Sequence, residues 1–248
     1  MSIAEKLVQI AENELKVYNA GYNAGKAAGG GGDGYYDTIW NAIQINGERT
    51  DYQKTFNGAG WTQAMFKPKY NIIIKSSNSM FTDSAITDIR PEAIGVTISP
   101  HPEAGNVWEN FLHGSNVEYV DTIDDTIGLA GTMMVFCGAS KLKSVNRFIA
   151  NEKTQYMMFA FSGCTELTDI TVEGGFGNNI SFINCTKLSL ASAKSILTAL
   201  KDCAGTDNEF SYTITFAQET WDLLAADGAT SPNGTTWQEY VQSKCWTY

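Results

Sequence analysis

The feature that most constrains this chain is a motif that recurs five times between residues 80 and 190. Its phenylalanines are Phe81, Phe111, Phe136, Phe161 and Phe182, at successive separations of 30, 25, 25 and 21 residues. An aliphatic residue follows six positions later in four copies and five positions later in the first: Ile86, Val117, Leu142, Leu167 and Leu188. This period predicts a solenoid, because one unit cannot bury its own apolar edge but stacked neighbours can.

The motif also predicts how the units stack. We expect Phe111, Phe136 and Phe161 to form one internal column, with Leu142 and Leu167 in a second. A small residue able to take a left-handed bend lies between the two anchors in the last four copies: Gly114, Gly138, Gly163 and Asn184. Strand-like runs occur at 71–75, 96–99 and 170–172, so each unit is predicted to feed a short strand.

The chain after the repeats predicts a terminal cap. Residues 189–202 have a helical apolar face formed by Ile196, Leu197 and Leu200. Residues 210–216 alternate with period two, which is typical of a strand, with Phe210 on its apolar face. A helix is predicted to end at Gly228, and residues 236–248 predict a helix followed by a final strand. Units that differ from the repeats are what the end of a solenoid requires.

The pattern F-x-G-C-x-x-L-x-x-I, at residues 161–170, resembles the BspA-like leucine-rich repeats found in surface and phage-associated proteins of gut bacteria. Residues 46–70 resemble a segment that precedes such repeats in prophage-encoded tail-associated proteins of gut Firmicutes. The first copy departs from the pattern, because T-D-S-A-I at 82–86 lacks glycine. The resemblance covers about residues 1–200. It implies an α/β fold: a right-handed leucine-rich-repeat-like solenoid with short parallel strands over residues 71–248.

Residues 1–27 predict an amphipathic helix that begins with a capping box formed by Ser2 and Glu5. Its seam alternates spacings of four and three: Ala4, Val8, Ala11, Leu15, Tyr18 and Tyr22. The helix is either a coiled coil, giving a homo-oligomer through residues 3–25, or a helix packed on its own domain. Six glycines within 25–34 predict a flexible linker over 28–34. A phosphate-binding loop is the alternative, although no strand precedes it and no G-K-S/T follows.

Residues 35–70 form an aromatic segment. Helical spacing of apolar residues begins at Tyr36, and five rings follow within 19 positions: Tyr52, Phe56, Trp61, Phe66 and Tyr70. We interpret the segment as an aromatic helical cap that closes one end of the core. The alternative is an aromatic platform that stacks on sugars.

Composition restricts the partners. The chain has 27 acidic and 17 basic residues and a net charge of −10, which disfavours nucleic acid and anionic membranes. No apolar run approaches the roughly 18 residues of a membrane span, so membrane insertion is not expected. Five cysteines without C-x-x-C predict neither a disulfide scaffold nor a zinc ribbon. Free thiols and the absence of signal-peptide features at residues 1–14 indicate assembly in a reducing cytoplasm.

Few residues offer chemistry. His101 and His113 lack a local nucleophile and orienting acid, so neither is predicted to be catalytic. A glycosidase pair among the carboxylates Asp83, Asp88 and Glu92 is the enzymatic alternative. We therefore predict no catalytic, cofactor-binding or metal-binding residues, and no cofactor.

Two further clusters have a functional and a structural interpretation. Asp121, Asp124 and Asp125 offer oxygen ligands for calcium but lack EF-hand spacing, and a solvated loop is the structural interpretation. Cys164 and Cys185 take equivalent places in their repeats, with Cys137 close by. They are either a redox pair or small side chains buried along the solenoid, and we favour burial.

The resemblance implies a non-enzymatic structural or adhesive protein that is prophage tail-associated, binds a protein or a surface glycan, and is located in the virion, or in the cytoplasm before assembly. A bacterial cell-surface or secreted leucine-rich-repeat protein that binds host protein or glycan is the alternative, with an extracellular location. The contact surface is predicted to be a solenoid face or the loops near 100–109 and 121–132.

Overall fold

A computed structural model describes residues 52, 54–68, 70–75, 77–104, 107–126, 134–153, 157–228 and 231–248. The predicted N-terminal helix, the glycine-rich linker and the start of the aromatic segment lie outside these residues. The predicted oligomer seam at 3–25 therefore stays a prediction.

The described chain alternates short strands with turns and helices. In chain order the elements are β1 (Ile72–Ile74), α1 (Pro91–Ile94), β2 (Ile98–Pro100), β3 (Tyr119–Asp124), β4 (Ser144–Ala150), a 3-10 turn (Met157–Phe159), β5 (Asp169–Gly174), β6 (Ile180–Phe182), α2 (Leu190–Thr198), β7 (Tyr212–Phe216), α3 (Gln218–Ala226), α4 (Trp237–Ser243) and β8 (Trp246–Thr247).

All strand pairs among the described residues are parallel. β1 pairs with β2, β3 to β5 form a second sheet in chain order, and β6 to β8 form a third. Tyr119, Ser144 and Asp169 lie in register across the second sheet, one coil apart. The fold is therefore α/β, with parallel strands stacked as a solenoid of about four turns. The predicted strands at 71–75, 96–99 and 170–172 correspond to β1, β2 and β5.

The core includes the side chains that the motif predicts. All five motif phenylalanines and their five aliphatic partners are buried. The ring of Phe161 lies 5.2 Å from Phe136 and 4.4 Å from Phe182, centroid to centroid. Burying rings of this size removes a large apolar area from water, and that is the main stabilising contribution to each coil.

One part of the predicted column is wrong. The ring of Phe111 packs on Phe81 at 5.1 Å and on Trp108 at 4.9 Å. Leu112, and not Phe111, lies in line with Phe136. This is shown by a hydrogen bond from the amide of Leu112 to the carbonyl of Val135, the residue before Phe136. The equivalent hydrogen bonds in neighbouring coils run from the amide of Phe81 to Phe111 O and from the amide of Phe136 to Ala160 O. The second copy therefore has the five-residue spacing from Leu112 to Val117.

Two left-handed positions, four residues apart, bracket the turns of four coils. The first has positive φ at Lys54, Ser79, Asn110 and Met134, and the second at Gly58, Asp83, Gly114 and Gly138. The pair at Lys54 and Gly58 shows that residues 54–68 repeat the motif conformation one coil before Phe81. The amide of Phe56 donates to Met80 O, and the rings of Phe56 and Phe81 stack at 5.3 Å. The end of the aromatic segment is thus built like a solenoid coil.

The C-terminal end has the predicted succession of elements. α2 begins after its N-cap Ser189 and ends at Thr198, before the predicted residue 202. Its predicted apolar residues Ile196 and Leu197 are buried, as is Leu200 beyond its end. α4 begins with a capping box formed by Thr236 and Glu239. Phe210 is an exception, because it precedes β7 with positive φ and is 56% exposed.

α2 also covers the edge of β5. The amide of Ile170 donates to Ser192 Oγ and that of Val172 to Ser195 Oγ, both at 2.8 Å. Ser192 Oγ in turn donates to Thr168 O, and Ser195 Oγ donates to Val172 O. The serine hydroxyls therefore make the hydrogen bonds to β5 that a further strand would make, and the second sheet ends there.

Removing one of these hydroxyls is expected to destabilise the fold. Ser192→Ala leaves the buried amide of Ile170 without its acceptor, so the free energy of unfolding should fall by about 1–2 kcal/mol. Thr198→Ala, on an exposed turn of the same helix, should change it by less than about 0.5 kcal/mol. Urea unfolding of the two variants measures the difference, and equal midpoints would contradict the edge-covering role.

Candidate interaction face

The outward side of the second sheet carries a row of polar side chains. In β3 the buried residues Val120 and Ile123 lie three positions apart, and in β4 the same holds for Val145 and Phe148. In β5 the buried residues are only two apart, so the β4–β5 register shifts between Val145 and Phe148. β4 therefore turns one more residue outward than β5 does, as a β-bulge does, and β3 has the same spacing in register with β4.

We call this surface the outer sheet face. It comprises the exposed and half-buried side chains of the three strands, Gly174 having none: Tyr119, Asp121, Thr122, Asp124, Ser144, Asn146, Arg147, Ile149, Asp169, Thr171 and Glu173. The paired strands hold these side chains at fixed spacing because the opposite side of the sheet is packed into the core.

Hydrogen bonds connect this face from strand to strand. Asn146 Nδ2 donates to Asp121 Oδ1 at 3.2 Å, and Thr122 Oγ1 donates to Asp121 Oδ2 at 3.1 Å. Arg147 Nε and one terminal nitrogen donate to the two carboxylate oxygens of Glu173, each at 2.7 Å. The bidentate pair fixes the guanidinium across β4 and β5.

The electrostatics of the face are dominated by carboxylates. The hydrogen bond to Glu173 raises the pKa of Arg147, and desolvation lowers it by a smaller amount. The negative charges of Glu173, Asp124 and Asp121 raise it further. The hydrogen bond from Arg147 lowers the pKa of Glu173, so this carboxylate stays ionised to a lower pH than usual. Both side chains of the pair are roughly half exposed, so its contribution to stability is small.

Tyr119 lies at the start of the face between two cations. Arg90 Cζ lies 4.5 Å from the ring centroid and Lys143 Nζ lies 5.6 Å from it. Each cation is also paired, Arg90 with Asp88 at 2.6 Å and Lys143 with Glu118 at 2.7 Å. These contacts fix the ring of Tyr119 and neutralise the charge at this end of the face.

A small cavity lies where the sheet β1–β2 meets β3. We call it the seam cavity, and its volume is about 30 Å³. Its lining includes the apolar residues Ile89, Pro91 and Ile98, the floor residues Trp108 and Phe111, and the outer-face residues Asp121 and Thr122. The indole Nε1 of Trp108 donates to Asp124 O at 2.8 Å, which joins the cavity to the strand.

The side chains of His101 and Asp88 take part in local hydrogen bonds, and His113 and Asp83 are joined through their backbones. His101 Nδ1 accepts the amide of Glu103, and the carbonyl of His113 accepts the amide of Asp83. The carboxylate of Asp88 accepts three hydrogen bonds from the side chain of Arg90. Among the described residues, no group of three or more His, Cys, Asp or Glu side chains is placed to hold a metal ion.

The cysteines of the repeats lie in a buried column of small side chains, at the same depth in successive coils: Ser84, Ser115, Ala139, Cys164 and Cys185. The thiol of Cys164 donates to Phe136 O at 3.2 Å, and that of Cys185 to Phe161 O at 3.7 Å. Burial raises the pKa of Cys164 well above its usual value and that of Cys185 to about 12. The predicted burial is confirmed, and both thiols are free in the structure.

These two thiols should therefore resist modification in the folded protein. Because the thiolate is the reactive form, we expect Cys164 and Cys185 to stay unlabelled by iodoacetamide at pH 8 and to react fully in guanidinium. The half-buried Cys137 is the internal control and should react first. Mass spectrometry of tryptic peptides reports each site, and fast native labelling of Cys164 or Cys185 would contradict the burial.

The aromatic rings of residues 52–66 are mostly turned inward. Tyr52, Phe56 and Phe66 are buried, and Phe56 lies 5.0 Å from Phe66 and 5.1 Å from Trp61. These three rings are therefore part of the core and are not exposed for stacking on a sugar, whereas Tyr70 is 45% exposed. The helical cap predicted for residues 35–70 stays a prediction.

A scan against protein-family models and searches of curated proteins and of solved structures find no match to this chain. Within the described residues, no helix combines the length and the apolar character needed to cross a bilayer.

Proposed function

We propose that this chain is a non-enzymatic structural or adhesive binding protein whose contact surface is the outer sheet face. The resemblance to BspA-like leucine-rich repeats suggests a prophage tail-associated protein, and a bacterial surface or secreted protein is the alternative within the same repeat family. The observation that carries the proposal is the row of polar side chains that β3 and β4 turn outward, because the buried residues of each strand lie three positions apart.

Three properties support a binding role for this face. The side chains are held in place by inter-strand hydrogen bonds, so little conformational entropy is lost when a partner binds. Asp121, Asn146 and Arg147 mix charged and neutral hydrogen-bonding groups, which is typical of specific polar contacts. Solenoids present such extended faces as binding surfaces.

Adhesion to bacterial cells tests the proposal. Fluorescently labelled full chain should bind fixed gut Firmicute cells saturably, as measured by flow cytometry. Asn146→Ala with Glu173→Ala removes an amide and a carboxylate from the face, so binding should weaken about tenfold.

Gln218→Ala with Asp222→Ala is the matched control. It removes the same two kinds of group from α3, where Gln218 Nε2 donates to Asp222 Oδ1 on an exposed surface. This variant should bind like the original chain. Equal losses in the two variants, or no saturable binding at all, would overturn the proposal.

A further inference from the structure

The outer sheet face has an excess of negative charge at its β3 side. The charged residues of β3, β4 and β5 are four carboxylates and one guanidinium, and the guanidinium of Arg147 is already paired with Glu173. The carboxylate of Asp121 accepts hydrogen bonds from the neutral side chains of Thr122 and Asn146, and that of Asp124 from a backbone amide. A carboxylate offers about four acceptor positions, so Asp121 retains capacity for a cationic donor.

The seam cavity adjoins this excess of negative charge and limits the size of what can enter. At about 30 Å³ it holds a group the size of one water molecule. An ammonium group is that small, whereas the planar guanidinium of arginine is larger. The apolar side chains of Ile89, Pro91 and Ile98 offer a surface along which a methylene stem can lie.

We propose that the seam cavity receives a lysine side chain of a protein partner, with the ammonium group against Asp121. This inference rests on the function proposed above, and it selects a basic protein segment over a surface glycan as the partner of the outer sheet face. The acidic field of the whole chain, with its net charge of −10, speeds the encounter with such a segment.

Binding of octalysine to the full chain tests the proposal. Trp108 reports on the cavity, because its indole N–H lies at the lining and donates to β3. Titration followed by ¹H–¹⁵N NMR should shift the Trp108 indole and the amides of Asp121 and Thr122 saturably. Octa-arginine should bind at least about threefold more weakly, because its head group does not fit.

Two variants separate the site from general charge attraction. Asp121→Asn should weaken octalysine binding about tenfold, since it removes the charged acceptor but keeps the shape. Asp202→Asn, an exposed site in the C-terminal part, makes the same change in net charge and should alter binding less than about twofold. Ile98→Phe fills the cavity without changing charge and should also weaken binding.

Each result has a defined meaning. Equal weakening by Asp121→Asn and Asp202→Asn, octa-arginine binding as tightly as octalysine, or unchanged binding by Ile98→Phe would overturn the lysine site. Cell adhesion through the outer sheet face without octalysine binding would overturn the lysine site alone and indicate a glycan partner. Octalysine binding without adhesion to cells would count against the proposed function alone.

Discussion

Phe161→Ala is expected to lower the free energy of unfolding by about 3–5 kcal/mol, because it empties the centre of the ring stack. Phe161 contacts three other rings, those of Phe136, Phe148 and Phe182, at centroid distances of 5.2, 5.8 and 4.4 Å. Truncation removes the transfer free energy of the ring and leaves a cavity that coils on both sides cannot easily close. Urea unfolding monitored by circular dichroism measures the loss.

Phe159→Ala is the matched control. Phe159 lies in the same coil but is 53% exposed, so its truncation should change the free energy of unfolding by less than about 1 kcal/mol. Similar losses in the two variants would contradict the stacking of Phe161 in the solenoid core.

Gly174→Ala should be comparably destabilising through the backbone. Gly174 ends β5 with a φ of 79°, and a Cβ there would lie 2.0 Å from the carbonyl oxygen of Ala150 in β4. The two strands would have to separate at this end. We expect a loss of about 3 kcal/mol or more, adding the clash to the ~1–2 kcal/mol that a left-handed residue with a side chain costs.

Gly205→Ala separates the two contributions. Gly205 has a φ of 72°, but a Cβ there would meet nothing within 4 Å. Its replacement should therefore show only the cost of the left-handed conformation, about 1–2 kcal/mol. If Gly174→Ala is no worse than Gly205→Ala in thermal melts, the close approach of β4 and β5 is not a constraint.

The sequence allowed the buried anchors of every copy to be predicted, but not which of two adjacent apolar residues lies in line with the next coil. Phe136, Phe161 and Leu167 follow a 25-residue period and were placed correctly in the core. The second copy failed because Phe111 precedes the structurally equivalent Leu112, and both residues are apolar and buried. Hydrophobicity alone cannot distinguish two adjacent buried positions, whereas the left-handed residues Asn110 and Gly114 mark the correct register.

The candidate face was predicted only in outline. A solenoid face was expected as the contact surface, but the bulges that turn Asn146 and Arg147 outward together have no local sequence signal. They follow from the register shift between β4 and β5. This shift depends on how two coils pair and cannot be read from the sequence of one coil. The edge-covering role of Ser192 was missed for the same reason, because serine on a helix indicates nothing about a neighbouring strand.

The bracketed turns divide each coil into a part of fixed length and a part of adjustable length. In the four coils that have both left-handed positions these stay four residues apart, whereas successive coils from Gly58 to Gly163 are offset by 25, 31, 24 and 25 residues. Length differences are therefore absorbed in the arcs that return from strand to turn. A protein engineer could place a peptide tag in such an arc, for example between the exposed residues Pro102 and Glu103, and leave the stacking of the coils intact.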